Sequence, residues 1–143
     1  MIKVIVFDFD GVLVDSNKIK HDTRFDLFAQ SGDAPEQLVN SVLKEMGEDN
    51  KPRLEFFAAI FARLGKGKDE IAGLAQAYAA RYDEVVQDKI VGYGLVPGVK
   101  KVLENCSRKY ILYINSATPD SALVSTVEKF GIKHFFKGIY GRR

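Results

Sequence analysis

Cysteine and histidine are scarce in this sequence, and their scarcity limits the kinds of site that the chain can build. Cys106 is the single cysteine, which excludes an internal disulfide framework and is typical of a reducing compartment. The two histidines, His21 and His134, lie far apart without the spacing of metal ligands, so we expect both at the surface. We therefore expect a cytoplasmic protein whose chemistry depends on other residue types.

An excess of one charge and long apolar runs are also missing. The 21 basic residues nearly balance the 19 acidic ones, for a net charge of +2, and no basic block indicates nucleic-acid binding. No apolar run approaches the roughly 20 residues that cross a bilayer. The opening segment MIKVIVFDFD meets acids too early for a signal peptide. We expect neither a nucleic-acid partner nor a membrane partner.

The most informative feature that is present is a pair of carboxylates, Asp8 and Asp10, directly after the apolar residues 2–7. The apolar run predicts a strand that is covered on both faces of a parallel sheet. Ligand sites in open parallel sheets lie at the carboxyl ends of the strands, and Gly11 lets the backbone turn close to a ligand. The pattern predicts a nucleophile and a proton donor side by side. The alternative, for a bare Asp-x-Asp, is a pair of solvated turn acids.

The remaining sequence predicts an α/β fold in which helices interrupt a parallel sheet. Helical patterns occupy about 17–30, 35–46, 54–64 and 69–88, with Asp33 as the predicted cap of the second. Then follow a short helix from Pro97, a strand at Tyr110–Asn115, a helix with Thr118 as N-cap, and a short strand at Lys137–Tyr140. This order predicts a discontinuous α/β core, residues 1–15 and 95–143, and an inserted all-helical domain, residues 16–94.

Residues 8–16, DFDGVLVDS, resemble the first signature motif of the haloacid dehalogenase-like (HAD) hydrolase superfamily, in its phosphatase branch. Ser116, in YINSATP, resembles the second motif, a Ser or Thr at the end of a strand. The helical insertion resembles the cap of phosphoglycolate phosphatase-like and β-phosphoglucomutase-like members, and FFKGIYG resembles the strand before the third motif. The resemblance covers the whole chain and implies a Rossmann-like parallel core with a helical cap domain.

The resemblance also implies an activity, that of a Mg²⁺-dependent phosphatase acting on a small phosphorylated metabolite. Asp8 is then the nucleophile that forms an aspartyl-phosphate, and Asp10 is the general acid and base. Mg²⁺ is bound by the Asp8 carboxylate and the Asp10 backbone carbonyl. Ser116 binds phosphate together with backbone N–H groups near Gly11 and Ala117. The acid at position 10 argues against the dehalogenases of the superfamily, which lack it.

The sequence departs from the family pattern where it ends. The resemblance predicts a third-motif Lys or Arg and fourth-motif acids downstream of Gly141, but the sequence ends at Arg143. Arg142 or Arg143 is either a substitute cation or part of a solvated terminus. Since only two further strands are predicted, the core sheet is incomplete at the C-terminus and the first strand has an open edge. We expect either a truncated chain or a protein that covers this edge by self-association.

Two other functions stay open alongside the phosphatase. One is a catalytically impaired relative that binds phosphate or magnesium, or serves as an assembly partner. The other is a phosphomutase, which shares the aspartyl-phosphate chemistry. Lys51 and Arg53, between two helices of the insertion, are either contacts for an anionic substrate or ordinary surface charges.

Overall fold

The computed structural model describes residues 1–47 and 52–143. Three strands, β1 (Val4–Phe7), β2 (Ile111–Pro119) and β3 (Phe136–Arg142), form a parallel sheet in the order β1-β2-β3. The described helices are α1 (Ser16–Ser31), α2 (Glu36–Met46), α3 (Arg53–Arg63), α4 (Lys68–Tyr93), α5 (Val99–Ser107) and α6 (Asp120–Lys129), with a 3₁₀ helix at Lys133–Phe135. The predicted fold class, a parallel α/β core interrupted by helices after its first strand, is confirmed.

The chain forms two compact units. The first joins Met1–Ile19 to Gln87–Arg143 and contains the sheet, and the second, Lys20–Val86, is helical. The sequence predicted the divisions after residues 15 and 94, whereas the units divide inside α1 and inside α4. The roles of the two units as catalytic core and cap stay predictions.

The core of the first unit lies between the central strand and the helices that pack on it. Leu112 and Ile114 of β2 are buried, because alternate side chains of a strand point to the same face. Helices α5 and α6 contact β2 and bury Leu103, Leu123 and Val127. Burial of such side chains stabilises the unit by about 1.5–3 kcal/mol each. This packing fixes the strand ends that carry the candidate site.

Strand β1 corrects one prediction, because it is not covered on both faces. Val4 and Val6 are 46% and 58% exposed, whereas Ile5 and Phe7 are half-buried. The alternation arises because successive side chains of a strand point to opposite faces, and the described residues leave one of these faces open.

The hydrogen-bonding edge of β1 is a separate feature. Within residues 1–47 and 52–143, β1 pairs with β2 alone. The predicted open edge is therefore observed.

The second unit is organised around an aromatic cluster contributed by three helices. The Phe28 ring of α1 lies 4.8 Å from the Tyr78 ring of α4, centroid to centroid, in a stacked arrangement. Phe57 and Phe61 of α3 lie 5.9 and 6.0 Å from the Phe28 ring. Phe28, Phe57 and Phe61 are almost completely buried. Aromatic packing therefore holds α1, α3 and α4 together.

Asp33 has a different role from the predicted one. The residue before α2 is Pro35, with no side-chain cap, and the Asp33 carboxylate instead accepts a hydrogen bond from the Tyr78 hydroxyl. Ser31 Oγ lies 2.6 Å from the same hydroxyl in a second hydrogen bond. Burial and the hydrogen bond to Asp33 raise the pKa of Tyr78 above its usual value. A contact between distant residues thus takes the place of a local helix cap.

Of the two basic residues considered as substrate contacts, the structure describes only Arg53. Arg53 Nε lies 2.6 Å from Asp83 Oδ1 in an ion pair within the second unit, which favours the reading as an ordinary surface charge. Lys51 lies outside the described residues.

Among the helices that the structure describes, none is both long enough and apolar enough to cross a membrane.

Candidate active site

Parallel pairing brings the ends of β1 and β2 to the same edge of the sheet. Phe7 pairs with Ile114, so Asp8 leaves β1 where Asn115 and Ser116 continue β2. The carboxyl ends of parallel strands form the usual ligand-binding edge of such sheets. Asp8, Asp10 and Ser116 therefore lie at the same edge of the sheet, and their catalytic roles stay predictions.

The segment after β1 turns tightly around the Phe9 carbonyl. The N–H groups of Val12, Leu13 and Val14 all donate to Phe9 O, at 3.0 to 3.3 Å. Gly11 has φ +74°, a conformation that costs other residues about 1–2 kcal/mol. The turn leaves Asp8 exposed while Phe9 is buried. Asp8 Oδ1 accepts a hydrogen bond of 2.7 Å from the Phe9 N–H, so an anchored and accessible carboxylate stands at the strand end.

Two hydroxyl groups hold the carboxylate of Asp10. Ser16 Oγ donates to Asp10 Oδ1 at 2.6 Å, and Thr118 Oγ1 donates to Asp10 Oδ2 at 2.8 Å. Ser16 is fully buried at the start of α1, and Asp10 is half-buried. Both carboxylate oxygens therefore have a fixed neighbour. Neither hydroxyl was assigned this role from the sequence, although Ser16 closes the DFDGVLVDS motif.

Ser116 and Thr118 lie in an irregular part of β2. The ladder between β2 and β3 changes register between the pairs Asn115–Tyr140 and Pro119–Arg142, so three residues of β2 face a single residue of β3. In this bulge the Thr118 N–H donates to Ser116 Oγ at 3.1 Å. A serine hydroxyl that accepts such a bond keeps its own proton for another acceptor. The 9% exposed Ser116 can therefore donate to a ligand oxygen.

Two predicted roles at this edge are corrected. Thr118 does not cap α6, since the residue before that helix is Pro119 with no side-chain cap; its hydroxyl is taken by Asp10. The Gly11 N–H donates to Val14 O at 2.8 Å, so it is not free for the predicted phosphate contact in this conformation. The function of Gly11 is the turn itself. Ala117 is exposed beside Ser116, where the second motif places it.

The C-terminal residues are placed on the far strand of the sheet. Arg142 pairs with Pro119 at the end of β3, and both Arg142 and Arg143 are exposed. Asp120 lies in the first turn of α6, as expected for an acid at a helix N-terminus, and its Oδ1 accepts a hydrogen bond of 2.9 Å from the Gly141 N–H. The role of Arg142 or Arg143 as a substitute cation stays a prediction.

The donor groups at this edge fit magnesium by their chemistry. Mg²⁺ prefers oxygen ligands and is commonly held by one or two carboxylates together with water and substrate phosphate. Asp8 offers an exposed carboxylate. The carboxylate of Asp10 is held by two hydroxyls, and its backbone carbonyl is the second ligand that the family resemblance implies. In the part of the chain that the structure describes, no group of three or more His, Cys, Asp or Glu could hold a metal.

Comparison with known proteins identifies relatives of the whole chain. A family model described as haloacid dehalogenase-like hydrolase matches residues 2–143. The chain is similar to a haloacid dehalogenase-like family protein from Streptococcus pneumoniae, with 30% identity and a TM-score of 0.63 over 99% of this chain and 62% of that one. This chain therefore spans less than two thirds of that relative. No curated protein sequence matches the chain.

Two more distant structures share the fold. A candidate β-phosphoglucomutase from Thermotoga maritima has a TM-score of 0.71 at 18% identity, over 98% of this chain and 61% of that one. The candidate HAD-hydrolase YfnB from Bacillus subtilis, solved bound to magnesium, has a TM-score of 0.66 at 16% identity, over 98% of this chain and 65% of that one. At such identities the likeness concerns the fold.

Proposed function

Because the chain belongs to the haloacid dehalogenase-like hydrolase family, we propose that it is a Mg²⁺-dependent phosphatase acting on a small phosphorylated metabolite. The observation that carries this proposal is the pairing of an exposed Asp8 with an Asp10 whose carboxylate is fixed by two hydroxyls. An exposed carboxylate suits a nucleophile, and a carboxylate held by two hydroxyls suits proton transfer. The two acids thus have environments that match different tasks.

The proposed reaction has two steps. An oxygen of Asp8 attacks phosphorus, the bond from phosphorus to the substrate oxygen breaks, and that oxygen takes a proton from Asp10. A water molecule then loses its proton to Asp10 and attacks the aspartyl-phosphate, which frees Asp8 and inorganic phosphate. Ser116 Oγ and the Ala117 N–H donate hydrogen bonds to the phosphoryl oxygens, where charge develops in the transition state. Asp10 donates a proton in the first step and regains a proton in the second step.

We propose that magnesium is held by the Asp8 carboxylate and the Asp10 backbone carbonyl. When bound, the ion lowers the repulsion between the carboxylate and the phosphate, which are both negatively charged. The turn around Phe9 O supports this assignment, because it fixes the backbone on both sides of Asp10. Removal of magnesium with EDTA is expected to stop turnover, and added magnesium to restore it.

Replacement of the nucleophile tests the proposal. Asp8→Asn is expected to lower Mg²⁺-dependent phosphate release from an aryl phosphate by at least about 10³-fold, because an amide cannot form the acyl-phosphate. Phosphate release is measured for both proteins with EDTA-treated samples as blanks. Asp88→Asn, at an exposed acid of α4, serves as the matched control and should keep full activity. Equal rates for wild type and Asp8→Asn exclude Asp8 as the nucleophile.

A catalytically impaired binding protein is the second candidate. It is favoured by one observation: among residues 1–47 and 52–143, no group of three or more His, Cys, Asp or Glu is placed to hold a metal. Calorimetric titration with magnesium and beryllofluoride, a mimic of the aspartyl-phosphate, separates the two: binding without turnover supports the second candidate. Transfer of phosphate to a sugar hydroxyl rather than to water would instead indicate a phosphomutase, the activity for which the Thermotoga maritima neighbour is named.

We also propose that the chain self-associates through β1. An unpaired strand edge exposes backbone donors and acceptors, which a second copy of the same edge can satisfy by antiparallel pairing. Val6, 58% exposed on this strand, is the place to test it. Val6→Lys is expected to shift the sedimentation distribution towards the monomer, whereas Val102→Lys, at a 51% exposed valine of α5, should not. A wild-type protein that sediments as a monomer at high concentration contradicts the proposal.

A further inference from the structure

Thr118 stands between the two motifs of the site and contacts a residue of each. Its Oγ1 donates to Asp10 Oδ2 at 2.8 Å, and its backbone N–H donates to Ser116 Oγ at 3.1 Å. The first contact joins residues that are 108 positions apart in the sequence. The second is a local turn of the kind that Ser and Thr commonly form. A single residue therefore contacts two site side chains, Asp10 in the turn after β1 and Ser116 in β2.

From this geometry we infer that Thr118 is a positioning residue, which sets Asp10 relative to the phosphate bound at Ser116. The inference rests on the proposed function, in which Asp10 transfers protons at the leaving oxygen. Proton transfer requires the carboxylate to lie within hydrogen-bond reach of that oxygen. Since Ser116 helps to place the phosphoryl group, a link from Ser116 to Asp10 controls this distance.

The hydroxyl group is suited to this task because it both donates and accepts. An ionised carboxylate only accepts hydrogen bonds, whereas a protonated one also donates. Thr118 Oγ1 donates to Asp10 in the ionised state and, after rotation of its O–H bond, accepts from Asp10 in the protonated state. Ser16 can do the same at Oδ1. Asp10 thus keeps its position while its proton leaves and returns.

The bulge in β2 explains why Thr118 can reach Asp10. A regular strand would continue its ladder with β3 through residues 116–118, whereas the register shift releases these residues from that pairing. Bulges commonly redirect a side chain next to a site. Thr118 is half-buried, so its hydroxyl bond to Asp10 is only partly open to competition by water. The irregularity therefore serves the contact between the two motifs.

The test compares three substitutions at buried or half-buried threonines. Thr118→Val removes the hydroxyl but keeps the β-branched shape and the backbone N–H, so the contact to Ser116 is preserved. It is expected to lower kcat about 10- to 100-fold with little change in KM, since a misplaced catalytic group slows chemistry rather than binding. Thr118→Ser should recover most of the turnover. Thr126→Val, which removes a buried hydroxyl bonded to Gln87 and Ala122, should keep the kcat of the wild type.

Several outcomes would overturn the inference. A Thr118→Val variant with the kcat of the wild type does so, as does a Thr118→Ser variant that loses as much as Thr118→Val. A wild type without turnover refutes the proposed function instead. Crystal structures of the wild type and of Thr118→Val then test whether Thr118 positions Asp10. We expect the Asp10 carboxylate to leave its place in Thr118→Val, with Ser116 unmoved. An Asp10 that keeps its position in that variant contradicts the role of Thr118.

Discussion

An Asp10→Asn variant is expected to release one equivalent of nitrophenolate from an activated aryl phosphate and then to stall. In the proposed reaction the first step forms the aspartyl-phosphate on Asp8, and a nitrophenolate leaves without needing a proton. The second step needs a base to take a proton from the attacking water, and an amide cannot act as that base. The steady-state rate should therefore fall about 10²- to 10⁴-fold while the first turnover persists.

The substitution is expected to leave the structure of the site intact. Asp10 contacts one hydroxyl at each carboxylate oxygen, Ser16 Oγ and Thr118 Oγ1. An asparagine has a carbonyl oxygen and an amide nitrogen in the same two places. A hydroxyl can donate to the former and accept from the latter by rotating its O–H bond. Loss of turnover in Asp10→Asn therefore reports proton transfer rather than a collapsed site.

Rapid-quench kinetics and intact-protein mass measure this outcome. Asp10→Asn should show a burst close to one equivalent per chain and a mass increase of one phosphoryl group. Asp8→Asn, which lacks the nucleophile, is the control and should show neither. Steady-state turnover of Asp10→Asn close to that of the wild type would be incompatible with Asp10 as the base. A burst in Asp8→Asn would place the phosphoryl group on another residue.

The placement of the strand ends is the part of this molecule that the sequence predicts best. The apolar run before Asp8 predicts a strand, and parallel pairing then requires the end of β2, with Ser116, to lie at the same edge. Both features are present, since Phe7 pairs with Ile114. These elements depend on local composition and on chain topology, which a sequence carries directly.

Polar contacts between distant residues are the part that the sequence does not reveal. Thr118 before Pro119 has the pattern of a helix N-cap, and Asp33 before Pro35 has a similar one. In both places the side chain binds a distant partner, Asp10 for Thr118 and Tyr78 for Asp33. A capping hydrogen bond contributes only about 1 kcal/mol. A hydrogen bond to a half-buried partner that is distant in the sequence can therefore replace it. Only the tertiary structure identifies that partner.

Gly141 supports the bulge from the opposite strand, for reasons of space. Its position on β3 lies between Tyr140 and Arg142, which pair with Asn115 and Pro119 on either side of the bulge. A Cβ atom at Gly141 would lie 2.5 Å from Asp120 Cα, 2.6 Å from Thr118 O and 2.7 Å from Asp120 N. These are backbone atoms, which cannot rotate away as a side chain can. Any side chain at this position must therefore separate β3 from the bulge or displace Thr118.

Gly141→Ala is consequently expected to destabilise the first unit by about 1–3 kcal/mol, the usual cost of overpacking. Without the clash, alanine in a strand would be tolerated better than glycine, so the sign of the effect is diagnostic. Urea unfolding followed by circular dichroism measures it. Gly138→Ala on the same strand is the matched control, because its Cβ would meet the ring of Tyr140 at 2.8 Å. That ring is the end of a 53% exposed side chain, which can turn aside, so we expect a smaller loss of stability.

Gly141→Ala is also expected to lower turnover by more than its loss of stability explains. Displacement of the Thr118 backbone by even about 1 Å would move both the hydroxyl that holds Asp10 and the N–H that holds Ser116, and such misplacement can cost about 10²-fold in rate. Phosphate release by Gly141→Ala is therefore measured at a temperature where circular dichroism shows the variant to be folded. A folded Gly141→Ala variant with the same turnover as Gly138→Ala would contradict this prediction. The end of β3 would then have moved away from β2, while the bulge, Asp10 and Ser116 kept their positions.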